Sequence, residues 1–363
     1  MKFNFAIRLF LLLVTIGLGG CSTMGSTNLS VNRADYNQAL QQSADQQMLL
    51  NLVRLKYRAS PMFLDVTSVS SQLSYTAGLS GSSSFSSGAK PSGAIGASLG
   101  YSEKPTISFA PLHGEKFTQQ LLSQINLDRL ALLYHSGWSV ERLMLLCVQR
   151  INHIKNAPRA SGPTPDTEPE FSNFQKVADN LRRLQLADAL EVAYDNVSGN
   201  VMPVLYKKSS GNNQEWKEFL NAVGATPDTY GRLVLTRDSR KTGTAGFIHI
   251  QTRSFMGVMY LLSHGIEVAS SDEQEGRVTV TKGSKDQRFD WRQVTGRLLQ
   301  VHSSTSHPGD KAFAVVRYRN RWFFIADNDL NSKSTFSLMQ QIFSLQGDKS
   351  SIPPPALTLS VGS

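Results

Sequence analysis

Apolar positions recur at helical intervals between Ala34 and Tyr57, where Leu40, Leu49, Leu50, Val53 and Tyr57 fit a 3.6-residue period and predict an amphipathic helix ended by "RASP" with Pro61. A period of two replaces it through "MFLDVTSVSSQLSYT" and onward to Phe109. Odd positions Leu73, Tyr75, Ala77, Leu79, Phe85, Ile95, Leu99 and Tyr101 are apolar, while Ser74, Thr76, Gly78, Ser80, Ser82, Gly96, Ser98 and Gly100 fill the even ones. Extended chain sends alternate side chains to opposite faces, so the segment predicts a hairpin with one apolar and one small, wettable face. Folding about Gly88, in "SGAKPSG", sets Tyr75 opposite Tyr101 and Ala77 opposite Leu99.

Beyond Leu112 the helical period returns in "GEKFTQQLLSQI", "NLDRLALLYHSG" and "SVERLMLLCVQRINHI", the last with Ser139 as N-cap and Glu141 in its first turn. The polar, proline-rich "NAPRASGPTPDTEPE" predicts an exposed loop, followed by a helix from Phe171 to Leu186. Strands are expected at "ALEVAYDN", "VMPVLYKK", "GRLVLTR", "GFIHIQT", "GRVTVTK", "LLQVHSS", "AFAVVRY", "RWFFIAD" and "ALTLSV", and helices at "NQEWKEFLNAVG", "SFMGVMYLLSHG" and "SKSTFSLMQQIFSLQ". Strands and helices do not alternate regularly. The fold class is therefore α+β, with short antiparallel strands, mixed helices and a protruding Gly/Ser-rich hairpin.

The start of the chain changes the picture. "MKFNFAIR" is basic, "LFLLLVTIGL" is apolar but shorter than the roughly 20 residues a membrane-crossing helix needs, and "LGGC" ends the run at Cys21. This stretch resembles the lipobox signal of bacterial lipoproteins, which implies cleavage before Cys21 and acylation of that residue; Ser22 in the next position implies sorting to the outer membrane. Several acyl chains would hold the protein there without a spanning helix. "LLNLVRLKYRASPMFLDV", "KPTISFAPLHGEKF" and "YRNRWFFIADNDLNSKSTFSLMQQIF" resemble a family of proteobacterial lipoproteins, a likeness that implies the same address and no particular activity.

The segments divide the chain into a signal (1–20), a lipidated tether (21–32), an N-terminal helix and strand (33–71), the hairpin (72–110) and an α+β periplasmic body (111–363) with a subdomain break near 156–170. Loss of Lys2 and Arg8 with the signal lowers the formal charge of +9 to +7, which favours anionic lipid or envelope polymers as partners; nucleic acid is not expected outside the cytoplasm. Acylation of Cys21 leaves Cys147 alone, one helical turn from Leu143 and Ile151, as a small core residue.

Three readings of the hairpin stay open at this level: a flexible linker, a hairpin covering the protein's own core or an oligomer contact, and a membrane-inserting hairpin. Positions 66–89 and 91–102 carry no charge, so Lys90 falls at the tip and Glu103 with Lys104 at the base. Each uncharged arm exceeds the roughly 9 to 11 residues of a tilted transmembrane strand.

Candidate chemistry is thin. No H-E-x-x-H, G-x-S-x-G, P-loop or G-x-G-x-x-G pattern occurs, and His302, His307 and Asp310 in "HSSTSHPGD" are the best case for a hydrolase acting on cell wall or lipid. "DNDLNSKS" departs from a calcium loop at Ser332 and Leu338, so Ser332 or Ser334 is expected to cap a helix instead. Arg317, Arg319 and Arg321 interleave with Tyr318 and Trp322 around a turn at Arg319 and Asn320, a candidate contact for anionic sugars or phosphates. The expectation is a non-enzymatic structural or assembly component without metal or cofactor, able to self-associate through the hairpin residues Leu73, Tyr75, Leu79, Phe85, Ile95, Leu99 and Tyr101.

Overall fold

A computed structural model describes residues 24–84, 92–197, 200–208, 213–283 and 285–346. The chain falls into two compact units, one holding Met62–Leu121 and the other holding the residues up to Pro61 together with Leu122–Ser344. Among the described residues no helix is long and apolar enough to cross a membrane.

The smaller unit is the hairpin. Strand β1 (Phe63–Ser84) pairs antiparallel with β2 (Ser92–Leu112), and helix α2 (Glu115–Leu122) follows. Tyr75 opposes Tyr101 and Ala77 opposes Leu99, the register that folding about Gly88 requires. The period-two pattern expected from "MFLDVTSVSSQLSYT" starts as β1 at Phe63, just after the Pro61 break.

The larger unit begins with helix α1 (Met24–Lys56), about 50 Å long at 1.5 Å per residue. The tether expected through residue 32 is thus helical from Met24. The apolar positions that predicted the helix bury only its last turns: Met48, Leu49, Leu52, Val53 and Leu55 are buried, while residues 34–44 are exposed or nearly so.

Next come α3 (Leu127–His135) and α4 (Val140–Cys147), with Asn126 and Ser139 as their N-caps; the Ser139 hydroxyl accepts from the Arg142 amide, and Glu141 lies in the first turn. Then a six-stranded sheet forms in the order β4 (Ile154–Lys155), β3 (Val148–Ile151), β8 (Phe247–Thr252), β7 (Arg232–Thr236), β6 (Asn200–Lys207), β5 (Leu190–Val197). Its pairs are antiparallel except β7 with β8. Helices α5 (Ser172–Leu186), α6 (Asn213–Val223) and α7 (Phe255–His264) bury Phe174, Leu181, Phe219, Phe255 and Leu262. After the short α8 (Ser270–Gln274) and α9 (Arg292–Thr295), a second sheet, β10 (Ala312–Tyr318), β11 (Arg321–Ala326), β9 (His302–Ser304), is followed by α10 (Leu330–Gln346). This mixture is an α+β fold.

The helix expected to run from Ser139 to Ile154 stops at Cys147, and Val148–Ile151 joins the sheet against β8. A buried guanidinium explains the stop. Arg253, 1% exposed, donates through Nη1 to the carbonyls of Leu145, Leu146 and Val148, through Nη2 to Asn156 O, and through Nε to Ser161 Oγ. A cation at a helix C-terminus meets the negative end of the dipole and satisfies carbonyls with no helical partner. Asn156 Nδ2 reinforces the same end, at 2.9 Å from Leu145 O and 2.7 Å from Val148 O.

Other expectations change similarly. "GRVTVTK" makes only isolated bridges, of Lys282 with Thr167 and Arg288, because Thr281 Oγ1 binds Pro165 O at 2.6 Å over the proline-rich segment instead of at a sheet edge. That segment is no subdomain boundary: Ala157, Ala160 and Pro165 are buried, and both flanks belong to one unit. "LLQVHSS" shortens to β9, and "ALTLSV" lies outside the described residues. Asp329, not Ser332 or Ser334, caps α10: its carboxylate accepts from the Ser332 amide at 3.0 Å.

Candidate functional site

The hairpin is a ladder whose chemistry follows from register. Rows from Ser74–Ser102 to Ser84–Ser92 contain no charged residue, and the first charges below them are Glu103, opposite Leu73, and Lys104, opposite Gln72. Eleven rows at about 3.4 Å measure about 37 Å along the strand, or about 26 Å at a 45° tilt, close to the roughly 25 Å apolar band of a membrane barrel. On the odd side, Tyr75 stands opposite Tyr101 and the next three rows match large to small: Ala77–Leu99, Leu79–Ala97, Gly81–Ile95. Phe85 and Cys21 lie outside the described residues.

On the even side, the rows Thr76–Gly100, Gly78–Ser98 and Ser80–Gly96 pair a hydroxyl with a glycine. Ser98 Oγ donates to Gly78 O and Ser80 Oγ to Gly96 O, each at 3.4 Å, and Thr76, Ser80 and Ser98 are exposed. A Cβ at Gly78 would come within 2.7 Å of Ser98 Oγ, so this face tolerates only one side chain per row there.

A β-bulge near the base was not foreseen. Val66 opposes Phe109 and Ser68 opposes Ser108, leaving Thr67 as an extra residue whose hydroxyl donates to Ser108 O at 3.2 Å. The insertion shifts the parity of β1, so even-numbered Leu64 and Val66 continue the same face as odd-numbered Val69. Leu64, Val69 and Phe109 on that face are 40–49% exposed. Phe63, on the opposite face, is buried and meets Phe117 edge to face at 6.0 Å.

The three candidate arginines do not converge. Arg319 and Asn320 both have positive φ, giving the primed turn that suits a two-residue hairpin loop. Tyr318 opposes Arg321 and Arg317 opposes Trp322, which puts Arg317 and Arg321 on opposite faces. Arg317 lies over Trp322 at 5.7 Å, Arg319 lies over Tyr57 at 5.2 Å, and Arg321 reaches Ser303 Oγ at 3.5 Å.

The larger unit contains a polar cleft of about 430 Å³, lined among others by Lys56, His264, Glu273, Arg288 and Trp291. Lys56, last residue of α1, donates to His264 O at the end of α7, at 3.0 Å. The His264 ring stacks on Trp291 at 4.5 Å, and its Nε2 is 3.2 Å from Ala160 O, so this nitrogen carries the proton. Trp291 Nε1 donates to Thr281 Oγ1 at 3.0 Å. Burial, and secondarily the Lys56 charge, pushes the imidazole down to about 3; burial pushes the Lys56 ammonium down to about 8 despite the nearby Glu273 carboxylate.

His302 Nδ1 is 3.2 Å from Glu267 Oε1, while His307 Nδ1 accepts from the Gly309 amide at 3.0 Å and its ring meets Trp322 edge-on at 4.6 Å. Among the described residues neither imidazole is bonded to a serine hydroxyl. Cys147 is fully buried, and burial pushes its thiol up to about 12, an inert state at neutral pH. Among the described residues no group of three His, Cys, Asp or Glu side chains is gathered to hold a metal.

The cleft was missed because its walls come from segments as far apart in the chain as Lys56 and Trp291. One local signal exists: Lys56 interrupts the apolar end of "LLNLVRLKY", between buried Leu55 and Tyr57. No family model, no curated protein and no solved structure matches this chain.

Proposed function

We propose that this protein is a non-enzymatic, lipid-anchored outer-membrane component whose hairpin inserts in the bilayer as two strands of a barrel shared between several copies. The observation that carries the reading is the register of β1 and β2. It lines up the large apolar residues Tyr75, Leu79, Ile95, Leu99 and Tyr101 on one side and Ser74, Thr76, Ser80, Ser82, Ser98 and Ser102 on the other, over the height of an apolar membrane band. Acylated Cys21 would provide the anchor, and the body would lie in the periplasm. Two strands cannot close on themselves in hydrocarbon, so the reading requires roughly four or more copies to reach the eight strands of the smallest barrels.

The test compares the two faces. Leu79→Asp and Leu99→Asp should block insertion and yield monomers in mild detergent extracts, read by native mass spectrometry. Ser80→Asp and Ser98→Asp face water in the lumen and should retain the oligomer. Deleting Ser74 to Ser102 should release folded protomers. A wild-type protein that remains monomeric in detergent, with a deletion that unfolds the body, would assign the hairpin to covering a soluble core and end this reading.

A further inference from the structure

We propose that the polar cleft of the larger unit binds a small oxyanion, a carboxylate or phosphate group seated between the Lys56 ammonium and the Arg288 guanidinium. The argument rests on which charges are already committed. Arg292 is held by Asp290 through Nε and Nη2 at 3.1 to 3.2 Å, and Glu267 is taken by His302. Glu273 is taken by Arg288, whose Nη2 lies 2.5 Å from the carboxylate and whose guanidinium carries five donors in all. Among the described residues Lys56 forms no ion pair, and the Glu273 carboxylate that acts on it from nearby is held by Arg288. Its hydrogen bond goes to His264 O, a neutral acceptor that fixes the ammonium in place and uses one of its three donors.

A largely buried ammonium that shares its nearest carboxylate with a guanidinium is costly unless something further pairs with it. The surroundings are rigid enough to preserve the geometry. Trp291 is clamped by the His264 stack, by its bond to Thr281 and by Phe289 edge-on at 5.3 Å, and Thr281 is tied in turn to Pro165. At about 430 Å³ the cleft is much larger than one phosphate and falls within the range of small-molecule pockets, so the anion is one end of a larger polar molecule.

The experiment titrates the full-length protein in detergent with sodium acetate and, separately, inorganic phosphate, following binding by calorimetry. Saturable binding of either probe is expected. A preference for phosphate assigns a phosphate group and a preference for acetate a carboxylate. Lys56→Met should weaken binding at least about tenfold, because charge-assisted bonds to the ammonium are lost. Arg288→Gln should weaken it severalfold, and Arg240→Gln, outside the cleft, should leave it unchanged.

A pH series with acetate, which does not titrate in this range, adds a readout that misfolding does not reproduce. The groups facing Lys56 are Glu273 from α8, Glu267 and His264 from α7 and its following loop, Arg288 and Asp290 from the strip before α9, and Arg292 from its first turn. The His264 ring is pushed down to about 3 by burial and stays neutral, Arg292 beside Asp290 holds that carboxyl below its usual range and is itself held up by it, and Lys56 loses its proton above about 8. Wild-type affinity should therefore fall about tenfold per pH unit above that point, whereas Lys56→Arg should hold it. Absence of saturable binding in the wild type, or wild-type affinity in Lys56→Met, overturns the proposal.

Discussion

Replacing Arg253 with Met tests the account of why α4 ends where it does. Met preserves much of the side-chain volume and removes all five donors. Leu145 O and Val148 O keep Asn156 Nδ2 as a partner, but Leu146 O and Asn156 O lose their side-chain donor. Each buried acceptor left unsatisfied costs about 1 to 3 kcal/mol, so the gross loss is about 2 to 6 kcal/mol. Relief of the buried charge offsets part of this, since burial pushes the guanidinium down to about 9 and no carboxylate pairs with it. A net loss of about 2 to 4 kcal/mol remains, a large share of the roughly 5 to 15 kcal/mol typical of a domain. Urea unfolding followed by tryptophan fluorescence measures it, with an unchanged slope as the sign of an unchanged end state. Arg253→Lys, which keeps the charge but cannot fork to three carbonyls, should fall between the two. A loss below about 1 kcal/mol for Arg253→Met would mean that the carbonyls find other partners, and that Arg253 does not set the end of the helix.

His264 gives a pH signature. Its folded value of about 3 lies below the unfolded 6.5, so the unfolded chain binds the extra proton; stability is full above 6.5 and falls as pH drops toward 3, by about 2 kcal/mol between pH 6.5 and 5. His264→Gln should flatten that slope, and an unchanged slope would refute the assignment. Cys21→Ser should leave protein that carries no lipid and no longer fractionates with the outer membrane; normal sorting of lipidated variant would remove the anchor. Replacing Arg317, Arg319 and Arg321 singly with Gln should affect binding to lipopolysaccharide unequally, because Arg317 and Arg321 lie on opposite faces; equal losses would contradict that geometry.

Elements governed by local periodicity were legible in the sequence. The hairpin register follows from alternation centred on Gly88, and the Ser139 cap follows from a serine two residues before a glutamate at the head of an apolar run. What escaped was set by distant partners. Leu143 to Ile151 carries a helical spacing, and only Arg253, more than a hundred residues later, ends the helix at Cys147. Lys56 and Trp291 meet only in the folded body, so the cleft has no continuous motif. Thr67 looks like any other residue in "DVTSVSS", and its role as the bulge depends on the numbering of the opposite strand.

That bulge and the large-to-small rows bear on slippage between the two strands. Polarity alone does not hold β1 and β2 in one alignment: a shift of two residues still leaves odd positions against odd ones, and Gly- and Ser-rich strands specify pairing weakly. Size is less forgiving. In such a shift Leu79 would oppose Leu99 and Gly81 would oppose Ala97, crowding one row and emptying the next, where the observed pairing alternates Ala77–Leu99, Leu79–Ala97 and Gly81–Ile95. Ala97→Leu or Gly81→Leu would thus change no charge and little polarity, yet would remove the discrimination between neighbouring alignments and turn one hairpin into a mixture of several.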